Sequence, residues 1–227
     1  MKAPAMKTSA RSGEIACGLY CAADAEEMTG LLATAFSRHD PPAVAVGITP
    51  EEFAAFVQIL LPAVAAERLT VIARDRRTGE MAGVLLTEDA ASDAAEGMER
   101  LGRKFETVGS ILGALVERYR AGRVPERGEM LHLYLLGVAE RFAGKGVAQQ
   151  LVAACVENGR RRGYRVAVAE ATNKTSQHIF RKAGFVERAQ VLYAEHVFEG
   201  KRPFASIAEH AGPILMEQVL ATGSALN

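Results

Sequence analysis

A glycine-rich turn between an apolar run and an amphipathic segment constrains this chain more than any other feature. The run "LHLYLLGV" is the best strand candidate in the sequence, and "RFAGKG", Arg141 to Gly146, follows it directly. After the turn, Val147, Leu151 and Val152 recur at helical spacing, and a second apolar run, "YRVAVAEA", comes next. The pattern predicts a strand–helix–strand unit over residues 129–170, with parallel strands and a right-handed crossover.

Apolar strands and amphipathic helices also alternate on both sides of this unit. Further strand candidates are "EIACGLYCA", "LTVIARD", "MAGVLLTED" and "GFVERAQVLYAEHV", and "RRTGE" is typical of a hairpin turn. A capping-box-like pair, Asp24 and Glu27, begins the first helix. The second begins with Thr49 as N-cap, followed by Pro50, and Glu52 completes its capping box. Helical spacing over residues 92–121 indicates a helical insert, and "KTSQHIFRKA" indicates a short helix. The alternation predicts an α/β domain.

The composition excludes several classes of protein. The chain has 227 residues, of which 49% are apolar and 24% charged, with a formal net charge of zero. Neutrality gives no support to nucleic-acid or membrane binding, and no apolar run reaches the roughly 18 residues of a bilayer span. Three cysteines suit neither a disulfide framework nor a zinc site, so we expect no metal and a cytoplasmic location. Residues 1–13 are expected to be a disordered tail and 14–227 a single domain.

The glycine turn does not match the two best-known phosphate motifs. A Walker P-loop would need glycine where Ala139 stands and a hydroxyl residue after Lys145. A dinucleotide fingerprint would need glycine where Gln149 stands. What remains is Arg-x-x-Gly-x-Gly at a strand-to-helix junction, where unpaired N–H groups and the helix dipole favour an anion. The alternative is a tight turn with incidental charges.

Two motifs together make the sequence similar to the GNAT family of N-acetyltransferases. The acyl-CoA motif [R/Q]-x-x-G-x-[G/A] is matched by Arg141, Gly144 and Gly146, and a second motif by Asn173, Ser176, Phe180, Gly184 and Phe185. From about residue 22 to 220 the chain resembles the insect-type arylalkylamine N-acetyltransferases, in "FSRHDPPAVAVG", in the helical insert and in "FASIAEHAGPILMEQVL". The resemblance implies a central, mixed, mostly antiparallel twisted sheet of about six to seven strands flanked by helices.

The resemblance also implies how acetyl-CoA is held. Backbone groups of Leu136 and Val138 would pair with the pantetheine arm as a further strand does. Asn173 would reach the pantetheine, and Ser176 would lie close to the thioester sulfur. The turn and the start of the helix would cradle the pyrophosphate, through Arg141, Phe142, Ala143, Gly144, Lys145, Gly146, Val147 and Ala148.

The chemistry of amide formation needs a base, because an alkylamine is protonated at neutral pH. Asp40 is the first candidate: the insect-type enzymes have a glutamate at the matching position, and we expect Asp40 in a loop beyond the first helix because proline follows it. Thr172 and Ser176 match hydroxyl positions of that subgroup, and helix capping or strand polarity is the alternative for both. His39 and His132 are further candidates for proton transfer, as is Glu129. Many members have a catalytic tyrosine where Phe180 stands, so that acid is absent here.

These inferences predict an enzyme that transfers acetyl from acetyl-CoA to the primary amine of a small molecule, with an arylalkylamine-like acceptor as one candidate. Polyamines, amino acids, aminoglycosides and protein N-termini remain open as acceptors, and a non-catalytic acyl-CoA sensor remains the alternative. The expected partners are the amine alone, without nucleic acid or membrane, and the expected state is a monomer or homodimer.

Overall fold

The computed structural model describes residues 14–93 and 95–220 of the 227-residue chain. Within them the strands are β1 (Ile15–Leu19), β2 (Val71–Asp75), β3 (Met81–Asp89), β4 (Met130–Val138), β5 (Val166–Ala171), β6 (Val186–Gln190) and β7 (Ile214–Val219). The helices are α1 (Ala25–His39), α2 (Pro41–Val46), α3 (Pro50–Glu67), α4 (Arg103–Arg120), α5 (Val147–Arg161) and α6 (Lys174–Lys182). The expected tail over residues 1–13 lies outside the described part of the chain.

Seven strands form one mixed sheet in the order β1-β2-β3-β4-β5-β7-β6. Every neighbouring pair is antiparallel except β4 and β5, which are parallel and joined through α5. The predicted strand–helix–strand unit and the predicted mostly antiparallel sheet are therefore both confirmed.

Strands β4 and β5 diverge soon after they pair. Their ladder covers Met130 to His132 on β4, although the strand continues to Val138. On its other side β4 stays paired with β3, where the register passes from Leu133 to Leu135 against consecutive β3 residues. Tyr134 is the extra residue, and a bulge of this kind bends its strand and re-aims side chains. The divergence leaves one edge of β4 open over its last six residues.

Both faces of the sheet are covered by helices. Leu151, Val152 and Cys155 of α5 are buried against one face, and Met28 and Leu32 of α1 are buried in a cluster on the other. Gly137 lets α1 lie directly on the end of β4, because a Cβ atom there would meet Leu32 Cδ2 at 3.0 Å. This close approach brings the C-terminal end of α1 beside the open edge of β4.

The local structure around the first helix differs from the prediction in two places. Asp24 and Glu27 do not form a capping box for α1, because both carboxylates bind Arg74 of β2, at 2.7 Å each. Asp40 lies directly beyond α1 and outside the helices, as expected, but the connection is this one residue: α1 ends at His39, and Asp40 is the N-cap of the short helix α2, which Pro41 begins. Pre-proline geometry ended the first helix as expected, but the proline then opened a new one.

Two further predictions have different outcomes: the cap at the start of α3 is confirmed, but the strand predicted after α6 is longer than the one observed. Thr49 and Glu52 do form a capping box at the start of α3, as expected. The strand expected over "GFVERAQVLYAEHV" is only the five residues of β6, and a long connection over residues 191–213 follows it. The side chains of Tyr193 and Phe204 anchor this connection, since both are fully buried beside Ile111 of α4.

Candidate active site

A cavity of about 780 Å³ lies where β4 and β5 diverge, between the sheet and helices α1, α4 and α6. Seven of the predicted cofactor-binding and catalytic residues line it: Asp40, Leu136, Val138, Ala148, Thr172, Asn173 and Ser176. The other predicted cofactor residues, 141–147, belong to the turn and to the start of α5, outside the lining. The structure therefore brings the expected catalytic side chains and the open edge of β4 into one cavity.

The open edge of β4 presents main-chain groups to this cavity. Ala139 donates its N–H to the carbonyl of Ala82 on β3 at 2.9 Å. Because the bonding direction alternates along a strand, Gly137 faces β3 as well, while Leu136 and Val138 turn their N–H and C=O groups toward the diverging side. A ligand with amide groups of its own could pair there as another strand does.

The glycine turn leaves free amides at the start of α5. Gly144 and Gly146 have φ angles of +72° and +79°, and open space lies where their side chains would be. Helix α5 begins at Val147 without a side-chain cap, so the first N–H groups of the helix are available to an anion. Phe142 and Ala143 instead donate their N–H groups within the turn, to Ala139 and Glu140.

Two cations flank the turn. The guanidinium of Arg141 and the ammonium of Lys145 lie over the ring of Phe142, 5.2 and 5.0 Å from its centroid. Arg141 also forms an ion pair with Glu80 at the end of the β2–β3 hairpin. The Phe142 ring is itself buried, so the hydrophobic core holds the turn in place.

Asp40 and Thr172 form a hydrogen-bonded pair inside the cavity. The Thr172 hydroxyl donates to Asp40 Oδ1 at 2.6 Å, and the Ala43 N–H donates to Oδ2 at 3.2 Å. Asp40 is only 9% exposed, and burial raises the pKa of its carboxyl group to about 6, while these two hydrogen bonds limit the rise. A carboxylate with a pKa near neutrality is suited to accept a proton at physiological pH.

Ser176 and Asn173 cap helix α6 reciprocally. The Asn173 side-chain oxygen accepts from the Ser176 N–H at 2.9 Å, and the Ser176 hydroxyl donates to the Asn173 carbonyl at 2.9 Å. The structural role considered for Ser176 is therefore present. The side-chain nitrogen of Asn173, Nδ2, takes no part in the cap, and the residue lines the cavity.

An aromatic wall covers the part of the cavity that faces α1, α3 and α4. Phe36 stacks on Phe53 at 4.9 Å between centroids, and Phe56 contacts Phe105 at 5.3 Å and Tyr134 at 6.1 Å. All five rings line the cavity. This wall suits the apolar body of a small molecule rather than a highly charged one.

Comparison with known proteins identifies the family of the chain. The model of the family described as "Acetyltransferase (GNAT) family" matches residues 34–185, which is more than half of the chain. The chain belongs to this family. Its N-acetyltransferase class and its GNAT fold are thereby confirmed, and acetyl-CoA is the cosubstrate of the family.

Solved structures with the same fold have low sequence identity. The C-terminal condensation domain of Ebony, in complex with β-alanyl-dopamine, is 14% identical, with a TM-score of 0.83 over 91% of this chain and 99% of that one. Arylalkylamine N-acetyltransferase 2 from Aedes aegypti is 21% identical, with a TM-score of 0.75 over 91% and 99%. Polyamine N-acetyltransferase of Drosophila melanogaster, which forms N-acetylagmatine, is 20% identical, with a TM-score of 0.74 over 91% and 100%. These likenesses show a shared fold.

The structure of this GNAT chain also bears on membrane spans, on metal sites and on the position of the family's catalytic tyrosine. Within residues 14–93 and 95–220, no helix is both long and apolar enough to cross a bilayer. In the same residues no group of three or more His, Cys, Asp or Glu side chains is arranged so that it could hold a metal ion. Phe180 is buried and packs edge-on against Phe185 at 5.1 Å, so no hydroxyl stands at that family position.

Of the other proton-transfer candidates, two are explained by ion pairs and one remains at the cavity wall. Glu129 pairs with Arg123 and does not line the cavity. Burial alone would lower the pKa of His132, but the carboxylates of Glu170 and Glu88 outweigh it and raise that pKa to about 10. His132 is therefore a charged partner at neutral pH rather than a base. His39 lines the cavity beside Asp40.

Sequence reasoning missed three residues that shape the site. Tyr193 donates its hydroxyl to the Thr172 carbonyl at 2.9 Å and so holds the residue that binds Asp40. Tyr134 and Glu170 both line the cavity. Glu170 and Thr172 alternate at the end of a strand and so share a face, which was a readable signal for Glu170. Tyr193 gave no such signal, because it lies in a segment expected to be strand.

Proposed function

We propose that this GNAT chain transfers the acetyl group of acetyl-CoA to the primary amine of a small molecule with an apolar or aromatic body. The observation that carries the proposal is the buried Asp40–Thr172 pair, set in a largely apolar cavity beside the open edge of β4. The acceptors named for the solved structures of the same fold, arylalkylamines and agmatine, are small amines and support the proposal.

The chain fits acetyl-CoA on three counts. Leu136 and Val138 offer main-chain groups to a pantetheine arm, the turn at Gly144 and Gly146 leaves room for a pyrophosphate, and Lys145 adds positive charge. The cosubstrate supplies an activated acetyl group as a thioester. Asn173 and Ser176, at the start of α6, are proposed to contact the arm beside the thioester.

Asp40 is the proposed general base. An alkylammonium group has a pKa of about 10.4, roughly 4 units above that of Asp40, so prior deprotonation by this carboxylate would be uphill by ~6 kcal/mol. An ammonium nitrogen has no lone pair, so the nucleophile is the neutral amine, whose first proton is lost to water. As this nitrogen bonds to the acetyl carbon, its remaining N–H becomes far more acidic, and Asp40 is proposed to accept that proton while the C–S bond breaks and the coenzyme A thiolate leaves. The burial that raises the pKa of Asp40 keeps it a strong enough base for this step.

Two further groups act on the same step. Thr172 orients the Asp40 carboxylate through its 2.6 Å hydrogen bond, and Tyr193 holds the Thr172 backbone in turn. A β4 main-chain N–H on the open edge is proposed to polarise the acetyl carbonyl, in the manner of an oxyanion hole. The departing thiolate of coenzyme A, with a thiol pKa of about 8.5, needs little help from an acid.

Release of free thiol, measured over a panel of amines, tests this function. We expect acetyl-CoA-dependent release with small primary amines that have an apolar body, and an N-acetylated product of matching mass. An isosteric alcohol panel serves as the control and should give no product. Tight acetyl-CoA binding without turnover on any amine would contradict the proposal and favour the sensor.

Replacing Thr172 with valine is expected to shift the pH dependence of the reaction. The Thr172 hydrogen bond favours the ionised form of Asp40, so its loss raises the pKa of Asp40 further. We expect the acid limb of the kcat/KM profile to move upward by about one to two pH units, given the usual strength of a charge-assisted hydrogen bond. Thr175→Val is the control. Thr175 also lines the cavity, but among the described residues it forms no hydrogen bond with Asp40. An unmoved acid limb in T172V would count against Asp40 as the base.

A further inference from the structure

A charged cluster borders the cavity where β3, β4 and β5 meet. His132 of β4 lies between two carboxylates, with Nε2 2.6 Å from Glu170 Oε2 and Nδ1 2.9 Å from Glu88 Oε1. The Glu170 side chain is 9% exposed and the His132 side chain 15%. With the imidazole protonated, the three groups have a net charge of −1. Arg120 also contributes a favourable charge to Glu170 but donates its own hydrogen bond to the Ala90 carbonyl.

Of the three cluster residues, Glu170 alone lines the cavity. Its Oε2 atom binds His132, whereas Oε1 has no hydrogen-bond partner among the residues that the structure describes. Oε1 is not one of the fully buried atoms without a partner, and Glu170 belongs to the cavity wall, so a hydrogen-bond donor of a bound molecule can reach this oxygen. Beside it Tyr134, the bulged residue of β4, also lines the cavity, and its hydroxyl has no partner in the described ranges either.

The spacing along β5 relates this carboxylate to the proposed base. Glu170 is the last residue but one of β5, and Thr172 follows directly after the strand. Both residues line the cavity, and residues two apart in extended backbone lie about 7 Å from each other. Thr172 binds Asp40, where the reacting amine must lie. Tyr134 of the aromatic wall contacts Phe56 at 6.1 Å and the His132 ring at 4.9 Å between centroids, so the wall reaches the charged cluster.

We propose that Glu170 is a specificity-determining residue, which accepts a hydrogen bond from a second donor group of the acceptor, at the end of the molecule away from the amine that is acetylated. This inference rests on the proposed function. The donor is a hydroxyl or a second ammonium group, and the apolar body between the two ends contacts the aromatic wall. His132 is a positioning residue: it holds Glu170 Oε2, so that Oε1 points to the acceptor.

A purely structural role for the cluster makes a different prediction. Glu170, His132 and Glu88 also bridge three strands, and in that role either glutamate could be exchanged with similar effects on folding and none on acceptor choice. Glu88 touches the same imidazole but does not line the cavity. Glu88→Gln is therefore the matched control for Glu170→Gln.

The experiment uses the full chain and compares pairs of acceptor amines. The members of a pair differ only in whether they have a second hydrogen-bond donor at the end away from the reacting amine. The pairs are 2-phenylethylamine against 2-(4-hydroxyphenyl)ethylamine, and pentylamine against 1,5-diaminopentane; kcat and KM are measured separately by thiol release. The wild-type chain should favour the donor-bearing member of at least one pair by roughly tenfold or more in kcat/KM, mostly through KM. The pair that shows the preference identifies the donor as hydroxyl or ammonium.

In Glu170→Gln the preference should fall to about threefold or less, while the amine without the donor is acetylated nearly as before. Glu88→Gln should keep the preference. If the wild-type chain acetylates the amines but shows no preference, this inference alone is overturned. Equal loss of preference in Glu170→Gln and Glu88→Gln would overturn it as well. Failure of all four amines, with acetyl-CoA bound, would overturn the proposed function as well. If Glu170→Gln does not fold, Glu170→Asp takes its place: it keeps the charge but withdraws the carboxylate by one methylene, so the preference should fall there too, and an unchanged preference in Glu170→Asp would overturn the inference.

Discussion

Asp40→Asn is expected to lower kcat/KM for the acceptor amine at pH 7 by about 10²- to 10⁴-fold, the usual contribution of a positioned general base. Asparagine has nearly the same shape and can still accept the Ala43 N–H with its oxygen, so α2 keeps its cap. It cannot accept a proton from the amine. Acetyl-CoA binding, measured by calorimetry, should be unchanged, because the proposed cofactor contacts lie on β4, α5 and α6.

The same variant should gain rather than lose stability at neutral pH. Burial raises the pKa of Asp40 from 3.8 to about 6, so the fold favours the protonated carboxyl. Its contribution to stability is fully present below about pH 4 and is lost as the pH rises through 6, a change of ~3 kcal/mol for a shift of about 2 units. Urea unfolding at pH 4 and pH 7 should show this loss in the wild-type chain and not in Asp40→Asn.

Asp75→Asn is the matched control for both effects. Asp75 is the last residue of β2. N–H groups of Thr78 and Arg77 in the following turn lower the pKa of its carboxyl group, and the residue does not line the cavity. Its removal should leave kcat/KM unchanged and should lower stability at pH 7. Asp40→Asn with near wild-type activity would exclude Asp40 as the base and would point to His39, which also lines the cavity.

The features predictable from sequence were those set by residues close together along the chain. The capping box of Thr49 and Glu52 involves four consecutive residues, and it formed as expected. The turn from Arg141 to Gly146 could be recognised because glycines at positive φ and an uncapped helix start are local properties. The parallel pairing of β4 and β5 then followed because a single helix connects them, and parallel strands need such a crossover connection.

Pairings between distant residues could not be deduced in the same way. Thr172 and Asp40 are 132 positions apart, and only the register of β5 and the end of α1 bring them together. A shift of one residue in β5 would turn Thr172 and Glu170 to the opposite face of the sheet. The resemblance to a family suggested Asp40 and Thr172 as separate residues, but not their hydrogen bond.

Tertiary contacts also overrode one local pattern. Asp24 and Glu27 have the spacing of a capping box, yet both bind Arg74, about 50 residues further along the chain. A buried or half-buried guanidinium offers two carboxylates stronger hydrogen bonds than uncharged N–H groups do. Local propensity therefore misassigned these two carboxylates, although the helix itself starts within one residue of the predicted point.

Gly146→Ala is expected to weaken acetyl-CoA binding by about 100-fold or more while the fold is retained. Gly146 lies at φ +79° as the N-cap of α5, a conformation that costs an L-residue roughly 1–2 kcal/mol. A methyl group there would stand in open space, where the proposed pyrophosphate approaches the first amides of the helix. Calorimetric titration with coenzyme A measures the loss directly, and KM for acetyl-CoA should rise in parallel.

Gly163→Ala separates strain from ligand contact. Gly163 has φ +85°, open space beyond it and a position past the other end of α5, so the same methyl group imposes the same backbone strain away from the turn. Both variants should lose similar amounts of stability in urea, and only Gly146→Ala should lose affinity for coenzyme A. Equal affinities in the two variants would mean that the amides at the start of α5 do not hold the pyrophosphate, and the assignment of the cofactor to this turn would fail.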